Sequence, residues 1–508
     1  MILKPQIDDR DETIKMNAKI NSVFFMGFEV DSILDITKEL ELNRIYTVGT
    51  KNNFKLVDAS LFIDNSINFK HNDVKAGIYE DITEYPPIDS DLLNQMAFCE
   101  QLFLGMADRL FIGIGYRRRY RMYMDHLRYW RGFFNDNKID LILMAGVPHE
   151  GFDFIIYCLA RDIFSIPILG TYVLPFRPKK VNLGYIYSNL FSHAKKTVPN
   201  SDFNSYDLAN LGKFKPYAEE FWLDSSYIPF TRANSVSIIK IINKRLNRLT
   251  EKIKKSYDDK RLIAKIYSRI LFQNQDRIQR EKSVYFESEK RINKFYNSNS
   301  VSVDKISNIN FIYFPLHYQP EASTSPLGIY YASQELVCEL ISSTMPENTF
   351  LVVKEHPRAS KSPNVRNIDF YKRILNCRNT FLLDKSANPK ELISLSMATA
   401  TITGTSAIES IFFLKPVLMF GTRIFENAPG VYKITNTMSL RDAIKKIFFT
   451  KNSLSKLEVI KYLSNLDQYV FNYVSNEEDA SNSNGLNVKQ SSKNLSKAML
   501  ENIKLINF

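Results

Sequence analysis

Cysteine is scarce and scattered: the 508 residues hold four, Cys99, Cys158, Cys338 and Cys377, with no CxxC pair. That spacing excludes a disulfide framework and a structural zinc site, and the thiols read as reduced cytosolic ones. Long apolar runs are missing as well. The most apolar stretches, 139–147 and 154–160, fall short of the roughly 20 residues needed to cross a bilayer. Acidic residues in MILKPQIDDRDETIKM occupy the place of a secretory apolar core, so no signal peptide is expected. Glycine-rich phosphate loops are also absent: no Walker-type motif, GxGxxG or GxSxG follows any expected strand. NTP hydrolysis, NAD chemistry and a hydrolase elbow therefore lack support.

What is present is the composition of a globular enzyme, with 44% hydrophobic, 13% aromatic and 24% charged residues, in a chain too long for one core. The formal charge of +12 is concentrated in one place. Residues 232–294 carry 18 Lys/Arg against 7 Asp/Glu, with Ile and Leu at helical spacing, and read as a basic amphipathic helical insert. Such a segment either attracts an anionic membrane surface or acidic glycan, or is simply a solvated face. No nucleic-acid-binding motif accompanies it.

On either side of the insert, short apolar runs alternate with helical patterns. Strands are expected at 21–28, 44–49, 140–145 and 168–173, with helices between, and again at 310–314, 350–354, 380–383, 399–403 and 417–420. Helices are expected at 328–343, 369–375, 389–396 and 405–414 in the second series. This predicts an α/β chain with two Rossmann-like domains facing a cleft, at 1–225 and 301–450, separated by the insert at 226–300 and followed by C-terminal helices and a polar linker at 451–508.

In such folds ligands meet the carboxyl ends of strands, so polar clusters just after strands are the candidates for chemistry. After 310–314 come His317, Gln319, Glu321, Ser323, Thr324 and Ser325, a loop of donors ahead of a helix that can hold phosphate or sugar hydroxyls, or a capped turn. The strand 350–354 ends at Lys354 and is followed by His356, Pro357 and Arg358, where cations can neutralise a leaving phosphate and His356 can donate a proton, or where proline merely stops a surface strand. After 399–403 come Gly404, Thr405, Ser406 and Glu409, either an anion site with a carboxylate for ribose or a Ser406/Glu409 capping box. In the first domain His149, Glu150 and Asp153 follow a strand, and each is a candidate general base on an acceptor hydroxyl. Glu150 and Asp153 also read as ordinary helix-start charges. Asp89-Ser90-Asp91 is better explained as a helix cap than as a metal site, and the arginines of 117–121 as a solvated face.

Together these residues resemble the GT-B glycosyltransferases of bacterial capsule and surface-polysaccharide biosynthesis, in particular those using CMP-activated Kdo or sialic acid. The resemblance covers chiefly 311–430, with weaker support from 139–170. In those enzymes a His-Pro pair after a strand contacts the nucleotide phosphate, matching His356 and Pro357, and a hydroxyl-rich turn matches Thr405 and Ser406. Where the sialyltransferases carry an acidic pair and Gly, this chain has His149-Glu150-Gly151. The resemblance implies a cytoplasmic transferase, independent of metal and of any cofactor and peripheral to the inner membrane face, that moves an acid sugar from a nucleotide-sugar donor to a glycan or lipid-linked acceptor. Similar turns occur in UDP-sugar epimerases and CDP-glycerol glycerophosphotransferases. A non-catalytic polysaccharide- or membrane-binding assembly factor is the remaining alternative.

Overall fold

The computed structural model describes residues 19–48, 67–69, 74, 77, 79, 82–110, 115–174, 183–192, 208–222, 289–319, 321–357, 359, 366–450, 454–474 and 486–506. The first sheet contains β1 (Ser22–Met26), β2 (Arg44–Val48), β3 (Ile67–Phe69), β4 (Leu141–Met144), β5 (Ile168–Val173) and β6 (Leu183–Tyr187). The second contains β7 (Ser300–Val301), β8 (Asn310–Pro315), β9 (Thr349–Lys354), β10 (Thr380–Leu383), β11 (Ala398–Thr401), β12 (Val417–Met419) and β13 (Val431–Lys433). A late strand, β14 (Val470–Asn472), joins the first sheet.

The strand order is β14-β6-β5-β4-β1-β2-β3 in one sheet and β13-β12-β11-β8-β9-β10-β7 in the other. All pairings in the second sheet are parallel; in the first, only those of β6 with β5 and β14 are antiparallel. Parallel strands need helical crossovers that cover both faces. This is why β1 (SVFFM), apart from Ser22, and β4 (LILM) are apolar, and both are buried throughout instead of alternating. The chain is thus an α/β protein of two Rossmann-like domains, a GT-B-like fold as the sequence predicts.

Two segments lie elsewhere than expected. Residues after 454 return to the first domain: β14 pairs with β6, and helix Val488–Ile503 packs on helix Val30–Leu40, where the Ser32 hydroxyl donates to Ser492 O. Helical residues 289–299 belong to the second domain, because Tyr296 is wholly buried there and its hydroxyl donates to Leu383 O. The rest of the expected insert, up to residue 288, lies outside the described residues, as does the polar stretch 475–485. Among the described residues no helix is long and apolar enough to cross a membrane.

The domains share one continuous apolar cluster. Helix Ser406–Phe412 is buried at all seven positions because the second sheet covers one side and first-domain segments the other. Trp222 Nε1 donates to Phe412 O at 2.8 Å, and the Phe221 ring stacks on that of Phe412.

Candidate active site

Strand order alone locates the two places where a ligand would sit. In each sheet the connections run outward in opposite directions from a central pair, β1/β4 in the first and β8/β11 in the second. Ligands bind in the crevice beyond the carboxyl ends of strands at such switch points. His317 follows β8, and Thr403–Ser406 follow β11. In the first domain the loop bearing His149 and Glu150 follows β4, packed beside the turn after β1 at Gly27, whose φ is +74°.

His317 closes the second switch point. Its Nε2 accepts the Thr403 backbone N–H at 3.1 Å and lies 3.3 Å from Thr401 Oγ1, which accepts the Gly404 N–H at 3.0 Å. A Cβ on Gly404 would approach His317 Nε2 to 3.0 Å, so glycine is what lets the two loops meet. Because a backbone N–H can only donate, Nε2 must carry the lone pair and the neutral ring holds its proton on Nδ1. Burial, reinforced by Arg366, Arg423 and His356, lowers the pKa to about 3 and keeps it neutral. That buried Nδ1–H has no hydrogen-bond partner, and neither does the buried Ser406 Oγ. Orphaned buried donors are costly and call for an explanation, of which a ligand is one.

The remaining loop residues mostly hold one another. Gln319 Nε2 donates to Ala332 O, the Thr324 hydroxyl to Glu321 O, and the Thr403 hydroxyl to Ser323 O. A Cβ on Gly105 of the first domain would lie 3.6 Å from Ser325 Oγ. The expected helix at 328–343 begins later: a single 3-10 turn, Ile329–Ala332, precedes helix Gln334–Thr344. The hydroxyls of this loop therefore do not stand at a helix N-terminus. Gln334 instead braces the loop, accepting the His317 N–H at 2.7 Å.

After β9 the predicted cations separate. Lys354 is 3% exposed, and burial lowers its pKa, with Glu355 and Asp384 partly offsetting this. Among the described residues no carboxylate lies within ion-pair distance of it. His356 is half-buried with its ring 5.5 Å from that of Tyr318, and Pro357 is exposed; Arg358 lies outside the described residues. Glu355, unremarked in the sequence, is fully buried. Its carboxylate accepts from Arg366, the Tyr371 hydroxyl and the His356 N–H. Arg366 also donates to His317 O, tying the β8 and β9 loops together.

Beyond β11 the capping box does not form. Thr405 is the N-cap without a side-chain cap bond, and Ser406 Oγ is the orphan noted above. Glu409 is buried, its pKa raised by burial, and its carboxyl accepts from the Thr405 hydroxyl. That makes it a brace for Thr405 and corrects the expectation of a carboxylate open to ribose.

In the first domain three successive carbonyls fix the loop after β4: Ala145 O accepts from the Tyr473 hydroxyl at 3.3 Å, Gly146 O from Tyr187 at 3.0 Å, and Val147 O from His149 Nδ1 at 2.5 Å. A carbonyl can only accept, so His149 Nδ1 carries a proton in this bond, and in the neutral tautomer the lone pair is on Nε2. Asp153 spends its carboxylate on the N–H groups of His149, Glu150 and Phe154, at 2.8, 2.8 and 2.7 Å, and burial raises its pKa. Both oxygens being engaged, Asp153 braces the loop. Asp89 caps its helix by accepting the Leu92 N–H, as predicted. Among the described residues no three His, Cys, Asp or Glu converge on a point that could hold a metal.

No family model matches the chain, and no curated protein does. Among solved structures it is similar to the KpsC β-Kdo 2,7 transferase of Thermosulfurimonas dismutans, at 12% identity over 78% of this chain and 95% of that one, with a TM-score of 0.30. It is also similar to a UDP-GlcNAc 2-epimerase from Methanocaldococcus jannaschii, at 12% over 89% and 100% with a TM-score of 0.24. Alr3699/HepE of Anabaena, in complex with UDP and glucose, gives 9% over 96% and 100% with a TM-score of 0.26. These similarities concern fold alone.

Proposed function

We propose that the protein is a glycosyltransferase that takes a sugar from a nucleotide-activated donor held in the second domain and passes it to an acceptor hydroxyl held by the first. The carrying observation is the buried His317 Nδ1–H, a neutral donor without a partner at the β8/β11 switch point, with the orphaned Ser406 Oγ on the adjoining turn. Two donors suit a phosphate oxygen, whose developing charge on departure such preorganised groups stabilise, and the buried cation Lys354 ends the adjacent strand β9. His356 and Thr405 flank that position. His149 Nε2, held in the accepting tautomer, removes the acceptor hydroxyl's proton, with Glu150 as the other candidate. The acceptor oxygen bonds to the anomeric carbon, and the carbon–oxygen bond to phosphate breaks, its electron pair leaving with the nucleotide. The donor favoured by the His356-Pro357 resemblance is a CMP-activated acid sugar, in the assembly of a capsular or surface polysaccharide on a glycan or lipid-linked acceptor.

Incubation with CMP- and UDP-sugars, followed by analysis of nucleotide and sugar products, tests this. Release of free nucleotide with a sugar added to an acceptor is expected, and His149→Ala should lose at least about a hundredfold in turnover while nucleotide affinity stays within twofold. Interconversion of a free UDP-sugar without nucleotide release would identify an epimerase instead. Nucleotide or glycan binding without turnover would point to an assembly factor.

A further inference from the structure

One cation at the domain junction was not singled out by the sequence, and three loops converge to deliver it. The segment after β12 passes directly over the β8/β11 switch point. Gly421 N–H donates to Ile402 O at 2.8 Å and Thr422 N–H to Leu327 O at 3.1 Å. Lys433 Nζ fastens the same segment from below through Gly421 O, Thr422 Oγ1 and Glu426 Oε2. Arg423 projects from it with its guanidinium fixed on two sides. Nε donates to the carbonyl oxygen of Thr403, the residue whose N–H binds His317, at 3.2 Å, and Cζ lies over the Tyr172 ring on β5 of the first domain, 5.1 Å from its centroid.

Tyr172 in turn meets Tyr187, centroids 5.1 Å apart, whose hydroxyl holds Gly146 in the loop of the candidate base. A chain of contacts, Thr403–Arg423–Tyr172–Tyr187–Gly146, thus links the two switch-point loops. Its two terminal amino groups make no hydrogen bond to a described residue, and no described carboxylate lies within ion-pair distance, although the charge of Glu321 reaches it. A largely buried guanidinium held at Nε and on one face, with its fork unspent, matches the bidentate recognition of a phosphate.

We propose that Arg423 is a specificity-determining residue that binds phosphoryl oxygens of the donor through its terminal fork while the first domain's Tyr172 holds it in plane. The anion is thereby recognised by both domains at once. This rests on the nucleotide reading above, and pyrophosphate separates the two. Titration calorimetry of the full chain with CMP, UDP and inorganic pyrophosphate, each with wild type, Arg423→Lys and Arg423→Gln, provides the test, alongside the melting temperature of each ligand-free variant.

A fork contact predicts that Lys, which keeps the charge but not the planar pair of donors, weakens nucleotide and pyrophosphate binding by about tenfold or more, with Gln at least as severe. Ligand-free melting should move little between Lys and wild type. Unchanged affinity in Arg423→Lys, or a lowered melting temperature with wild-type affinity, would overturn the proposal in favour of a purely structural domain contact. Pyrophosphate binding that depends on Arg423, without binding of either nucleotide, would uphold the anion site and refute the nucleotide reading. Binding of none of the three by wild type would sink both.

Discussion

The histidines show how a residue's surroundings decide what it can do. His317 and His126 are both buried, and burial lowers each pKa to about 3. An unfolded histidine takes its proton near pH 6.5, so between about 6.5 and 3 the unfolded chain binds more protons than the folded one. Stability is therefore full above pH 6.5 and declines as pH falls, each ring contributing a slope of up to about 1.4 kcal/mol per pH unit. Urea unfolding from pH 7 to 4 should show this decline, and His126→Gln should remove one ring's share of it; a slope unaffected by the substitution would mean that the ring charges within the fold. At this scale the sequence was legible for identity more than for role. His317 is visible as a polar residue after a strand, but its tautomer depends on Thr403, 86 residues away. Glu355, beside a proline-stopped strand end, looks like a surface charge, and only the distant Arg366 and Tyr371 make it a buried anchor.

Element boundaries followed from apolar runs, because strands covered on both faces are continuous blocks of Ile, Val, Leu and Phe. The block at 168–173 coincides with β5 and that at 380–383 with β10. Expectation and structure part where turns are set by tertiary contact, as between β8 and helix Gln334–Thr344, where Gln334 and Arg366 hold the loop in place of a local helix start. The loop after β12 is the sharpest case. A Cβ on Gly421 would come within 2.4 Å of Thr403 Cγ2 and 2.8 Å of Leu327 O, so three loops meet only because this position has no side chain. Gly421→Ala should cost about 1–3 kcal/mol of stability, read as a lower urea midpoint, and should weaken nucleotide binding by displacing Arg423. A substitution neutral in both would show that the loops can separate without loss.

For the whole molecule, two alternating series of strands and helices were enough to predict two Rossmann-like sheets, since period and crossover length require parallel pairing. The order of the strands was not legible: nothing local in β8 or β11 says that they are neighbours. Without that order, the clusters after β8 and β11 read as separate candidates, although His317 and Thr403 bring them into contact. The return of β14 and helix Val488–Ile503 to the first domain was hidden for the same reason, because their partners lie hundreds of residues upstream. A nucleotide phosphate held on His317 at the second switch point would show in thermal shift of wild type and His317→Phe with CMP, CDP, UDP, GDP and ADP, where a ligand at 100 times its Kd stabilises by about 2.7 kcal/mol. The prediction is a rise in melting temperature with a pyrimidine nucleotide, CMP foremost, that disappears in the variant. A rise of equal size in His317→Phe, or none with any nucleotide in the wild type, would contradict it.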